Sequence, residues 1–207
     1  LTRNTDALIR VLNEGGGDVA IILADPSDPL KPAGGVAALR RLAAAVHELT
    51  ILRADHGGLG AVAFGANHAG LGLSATNRHG SIQGRAPFAK RGDCSARVFS
   101  VFFADWFTAM VIAGWSLADP RFMNCYLPGC DGAPLSRFLD EDQAHHAVAH
   151  NIHALGHVAD LVLNAPDDTT RRSTFLDYCR EAVARYDLVG FHGPQDPKPQ
   201  LTGWVLS

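Results

Sequence analysis

The residues best suited to chemistry lie in two neighbouring stretches, NCYLPGCDGAPLSRF at 124–138 and HHAVAHNIHALGH at 145–157. Cys125 and Cys130 bracket a Pro128-Gly129 turn, which can bring both sulfurs to one point. His146, His150, His153 and His157 recur at spacings of 4, 3 and 4, which makes them one stripe of a helix. Thiolate and imidazole donors together favour zinc over magnesium or calcium. Cys125, Cys130, His146 and His150 are therefore the candidate metal ligands, with His146 as the expected fourth. The spacing C-x4-C is looser than C-x2-C, and the competing reading is a loop held to a helix by apolar packing alone. His153 and His157 are assigned to packing or solvent, and Cys94 and Cys179 to small buried hydrophobes.

A second group of polar residues follows buried apolar runs. DVAIILADPSDP, LTILRADHGG and LGLSATNRHG each read as a strand buried on both faces that ends in polar residues. Strands are expected near 19–24, 49–54 and 71–75. Helices are expected at 5–14, at 34–49, where the sequence is Ala- and Leu-rich, and at 58–70. Strand, helix, strand, helix, strand at this pace implies parallel βαβ units. Ligands in such folds sit at the C-terminal ends of the strands. Those ends carry Asp25, then Asp55 and His56, then Thr76, Asn77, Arg78 and His79. Asp55 and His56 are the candidate acid/base or nucleophilic pair, and the others are candidate substrate-binding residues. The competing reading makes Asp25 and Asp55 helix caps.

Beyond this region, the apolar stretch 98–116 is expected to be a helix. Long helices are expected at about 139–164 and 168–186, the second capped by Asp167 or Asp168. The elements divide into βα units over 1–97, a helical and cysteine-bearing segment over 98–190, and an extended Pro-rich tail over 191–207.

The chain has 207 residues, 47% hydrophobic and 19% charged, which is globular composition for about one domain. A formal charge of −3 argues against a generally basic nucleic-acid binder. The loop 78–97 nevertheless sets Arg78, Arg85, Lys90, Arg91 and Arg97 against a single acid, Asp93, a local patch that could meet phosphates. No uncharged apolar run is long enough to span a membrane. Four unevenly spaced cysteines suit a reducing compartment, here the cytoplasm. The chain opens on Leu rather than Met, so an upstream part is expected to be missing.

The order of these features resembles the C-terminal half of the tRNA-guanine transglycosylase family, including its DNA-acting relatives, over roughly residues 18–190. The shared order is a βαβ unit, a strand ending in T-x-R, a basic loop, a cysteine loop, PLSRFL, and a helix bearing His150-Asn151. The resemblance implies an α/β fold, the C-terminal portion of a TIM-type (β/α) barrel with a Cys/His zinc subdomain. It also implies exchange of a purine for a deazapurine base in tRNA or DNA. Cys125 and Cys130 fall on the first and third family cysteines and His150 on the family histidine, while Leu127 replaces the middle cysteine. The strand GLGLSATNRHG carries no carboxylate where the family has its nucleophilic aspartate, so Asp55 is the nearest candidate.

Three readings follow. They are a base-exchanging enzyme, a non-catalytic nucleic-acid-binding or partner subunit, and an unrelated TIM-barrel hydrolase or lyase using Asp55 and His56. A dimer is compatible with each.

Overall fold

A computed structural model describes residues 3–25, 28–73, 80, 97–108, 111, 124–188 and 199–206. The chain is a mixed α/β protein that folds as two compact units. The first comprises Leu1–Ala89, Leu161–Arg180 and Pro197–Ser207, and the second Lys90–Asp160 and Glu181–Asp196.

The first unit begins with α1 (Thr5–Gly15), which leads into β1 (Val19–Ile22). After α2 (Gly35–Ala45) come β2 (Leu49–Ala54), α3 (His56–Ala63) and β3 (His68–Leu71). The three strands are parallel in the order β1-β2-β3, with Val19 opposite Leu49 and Thr50 opposite His68. The register slips between Ile51 and Ala54, where Arg53 takes a φ of 54°. Past the ends of the strands, Ala24 forms a single parallel bridge with Gly80.

Helix α2 buries Val36, Ala38, Leu39, Leu42 and Ala43, one face at helical spacing. The third strand lies a few residues before the expected 71–75. His68-Ala69-Gly70 carries little apolar signal, but Asn67 fixes the pairing. Its side-chain oxygen accepts from Leu49 N at 2.9 Å, and its own N–H donates to Leu49 O at 2.8 Å.

The second unit contains a region expected to be a helix over 98–116, and the structure corrects that expectation. β4 (Arg97–Ser100) and β5 (Asp105–Thr108) form an antiparallel hairpin, with Phe99 opposite Trp106. Val, Phe and Trp favour a pleated, packed surface over a helix, and the hairpin turns at Ala104, which has a φ of 49°. A shorter hairpin pairs β6 (Asn124–Cys125) with β7 (Ala133–Pro134). A 3-10 turn follows at Leu135–Leu139, then α4 (Glu141–Ala144) and α5 (His146–Leu163). The helix expected at 139–164 is thus broken near His145.

The chain continues in α6 (Asp168–Leu188). Asp167 caps it, accepting from Thr170 N and Oγ1, both at 2.8 Å, and these bonds hold its carboxyl below the usual range. In the second unit, Tyr186 packs edge-on against Phe103 at 4.9 Å and donates to the buried Asp105 at 3.3 Å.

The tail expected to be extended is helical at α7 (Pro199–Leu206). Proline at a first helical position costs no hydrogen bond, and burial of Leu201 and Trp204 in the first unit supplies the drive. Trp204 lies 5.1 Å from Phe175 and 5.8 Å from Phe64. Gly60 makes this packing possible, because a Cβ there would stand 2.6 Å from the Trp204 ring. Among the described residues, no helix is long and apolar enough to cross a membrane.

Candidate metal centre

Cys125, Cys130 and His150 come together within the second unit. Their sulfurs and a ring nitrogen lie within 4.8 Å of one another, and all three residues are buried. The β6–β7 loop supplies the sulfurs. Cys130 N donates to Leu127 O at 2.9 Å, Gly132 N to Cys125 O at 2.9 Å and Ala133 N to Cys130 O at 2.8 Å. These bonds curl the loop through Gly129, at φ 82°, and Gly132, at φ 77°. Both glycines occupy backbone that L side chains rarely adopt.

Helix α5 supplies the nitrogen, and its His-Asn pair fixes where that nitrogen points. His150 Nε2 lies 2.9 Å from Phe99 O, a bond that requires the proton on Nε2. Nδ1 is then left with its lone pair directed at Cys130 Sγ, 3.3 Å away. Asn151 accepts from Phe99 N and donates to Arg97 O, each at 2.8 Å. The outer edge of β4 is therefore satisfied by two helix side chains instead of another strand. A backbone carbonyl that orients a ligating histidine in this way is a common support for metal sites.

The electrostatics agree with the geometry. Burial lowers the His150 pKa below the usual 6.5; the Phe99 carbonyl opposes this, while Arg137 and His153 add to it. The ring is neutral, as a ligand must be. Burial pushes the Cys125 thiol up to about 11; the Leu127 N–H pulls it down, Cys130 raises it further and Arg137 lowers it. A cation in the site would reverse this penalty, since a coordinating thiol is deprotonated outright.

Arg137 Nη2 donates to Cys130 Sγ at 3.2 Å, and Nη1 donates to Ala133 O at 3.1 Å and Pro134 O at 3.0 Å. Its guanidinium stacks on Phe138, 4.3 Å from the ring centre, and Phe138 in turn lies 5.4 Å from the His150 ring. Two thiols and an oriented imidazole can hold a soft or borderline metal ion, and the neighbouring Arg137 cation favours the thiolate form.

His146, the expected fourth ligand, is not part of this group. It sits exposed at the start of α5, its ring 3.9 Å from that of His145. His153 and His157 are also exposed, and Cys179 is buried, with its thiol raised by burial. Cys94 lies outside the described residues. PLSRFL and His150-Asn151 stand out in the sequence, but the roles of Arg137 and Asn151 at the centre do not.

The strand-end candidates belong to the first unit. Asp55 is buried and caps α3, its Oδ1 accepting from Gly57 N at 2.8 Å and its Oδ2 from Gln200 Nε2 at 2.8 Å. His56 is 1% exposed in the first turn of α3. Asp25 holds a turn, accepting from Asp28 N at 3.2 Å. A small pocket is lined by Asp28, Leu30, Ile51, Arg53, Asp55 and Gly57. Thr76, Asn77, Arg78 and His79 lie outside the described residues. Gln200 gave no signal in the sequence, because it reaches Asp55 from the distant tail helix.

No protein-family model, curated protein or solved structure matches this chain.

Proposed function

We propose that this chain is a zinc-stapled relative of the tRNA-guanine transglycosylases that binds tRNA or DNA without using Asp55 as a nucleophile. The observation that carries the reading is the convergence of Cys125, Cys130 and His150, with Nδ1 presented to the sulfurs by the Phe99 carbonyl. Sulfur and nitrogen ligands of a tetrahedral zinc stand about 3.5 Å apart, given bonds of ~2.3 and ~2.0 Å. The 3.3 Å between Cys130 Sγ and His150 Nδ1 fits that spacing. Zinc would act there as a cross-link between the β6–β7 loop and α5.

Sequential parallel strands joined by helices also support a TIM-type barrel reading, in which neighbours in sequence are neighbours in the sheet. The basic residues of 78–97 support a phosphate-bearing partner, and the four unevenly spaced cysteines support a cytoplasmic setting. Asp55 favours binding over base exchange. It is buried, and its oxygens hold the α3 cap and Gln200, whereas a nucleophile must reach an anomeric carbon.

Two assays on the same preparation test this. The chain should retain tRNA or duplex DNA on a filter, with affinity falling steeply as salt rises. It should not incorporate labelled guanine or a deazapurine into either. Salt-independent retention, or none, would remove the nucleic-acid reading. Incorporation abolished by Asp55→Asn would restore the enzyme.

A further inference from the structure

The metal centre has three protein ligands among the described residues, and a tetrahedral ion needs four. Its charge balance indicates what completes it. A divalent ion with two thiolates and a neutral imidazole is neutral overall. Arg137 then adds one positive charge in direct contact with Cys130 Sγ. The guanidinium is half-buried, and it forms no ion pair with a carboxylate of the described residues. Of its five N–H donors, the contacts to Ala133 O, Pro134 O and Cys130 Sγ occupy three. Among the described residues that leaves the Nε hydrogen and one hydrogen on Nη2, the nitrogen that contacts the sulfur. A half-buried positive charge with donors to spare beside the ion favours an anion over a neutral fourth ligand.

We propose that the fourth position is an anion site set by Arg137. It takes a small monovalent anionic donor, either an inorganic anion or the thiolate of a small thiol, in contact with both the metal and the guanidinium. The inference rests on the metal reading above and specifies what that metal binds. Arg137 is a positioning residue here: it grips the loop carbonyls and leaves the ion a place for one external ligand.

The test uses the full chain loaded with cobalt(II), whose visible absorption reports its ligand set. Sodium azide and a small alkanethiol are titrated separately at constant ionic strength. At least one should change the spectrum saturably, and the arm that does so at lower concentration identifies the source of the ligand. Arg137→Gln should still take up cobalt but need roughly tenfold more of that anion, the loss expected when a charge-assisted hydrogen bond is removed. A second reading needs no variant: neutral imidazole should bind the wild-type centre more weakly than the preferred anion.

A cobalt-loaded chain whose spectrum ignores both anions has a fourth protein ligand, and the proposal falls. It also falls if Arg137→Gln responds like wild type, or if imidazole binds as tightly as the anions. Failure to bind cobalt at all would instead remove the metal reading, and this inference with it.

Discussion

Replacing Asp55 separates a helix cap from a catalytic carboxylate. In Asp55→Ala the α3 terminus loses the bond to Gly57 N, worth about 1 kcal/mol for a capping side chain. Gln200, 1% exposed, loses the acceptor for its Nε2, and an abandoned buried donor costs about 1–3 kcal/mol. The sum is a destabilisation of about 2–4 kcal/mol. Asp55→Asn should behave quite differently. Its side-chain oxygen still accepts from Gly57 N, and asparagine is as good a cap as aspartate. Its NH2 then faces Gln200, whose amide can turn over to present Oε1. That oxygen has no hydrogen-bond partner among the described residues, so the turn sacrifices no bond on its other side. Asn should cost about 1 kcal/mol or less, the price of exchanging a charged acceptor for a neutral one. Urea unfolding at neutral pH gives both values, with the slope unchanged. Equal losses for Asn and Ala would refute the amide-turning argument. A loss for Ala below about 0.5 kcal/mol would refute the buried cap itself.

Three further outcomes are expected. Asn151→Ala leaves Phe99 N and Arg97 O without partners, so thermal or urea unfolding should show a loss of about 2–5 kcal/mol, whether or not metal is present. Metal-free protein should lose stability as pH falls below about 6.5. The folded His150 pKa is depressed, so its contribution is complete above the unfolded value and disappears as the unfolded chain takes up the proton; His150→Gln should flatten that slope. Metal affinity should rise with pH across the neutral range, because Cys125, with its thiol near 11, must release a proton to ligate. Proton release measured by calorimetry in two buffers should show this, and a pH-independent affinity would contradict it.

The parallel strands were legible because Val19–Ile22 is an apolar run and Leu49–Ala54 is one broken only by Thr50 and Arg53. The expected burial on both faces does not hold, since Ile22 and Leu52 are exposed. β3 was harder to place, since Asn67 and backbone pairing fix its register and no apolar pattern does so. The stretch around Phe99 and Trp106 misled because a continuous apolar run carries no period. Only its aromatic content pointed to strands. At the centre, Cys125, Cys130 and His150 could be read from residue type and loop chemistry. Helical spacing placed His146 on the same stripe, but the break at His145 sets it at the exposed start of α5. The role of Arg137 depends on how the loop curls, and that of Gln200 on a contact across 145 positions of the chain. Spacing in the sequence reveals neither.

The metal content of the purified full chain, measured by elemental analysis without exposure to chelators, tests the central claim most directly. About one zinc per chain is expected, falling to near zero in Cys130→Ser while His146→Ala keeps the ion. Wild-type protein free of metal, or zinc that survives Cys130→Ser, would contradict a centre built from Cys125, Cys130 and His150.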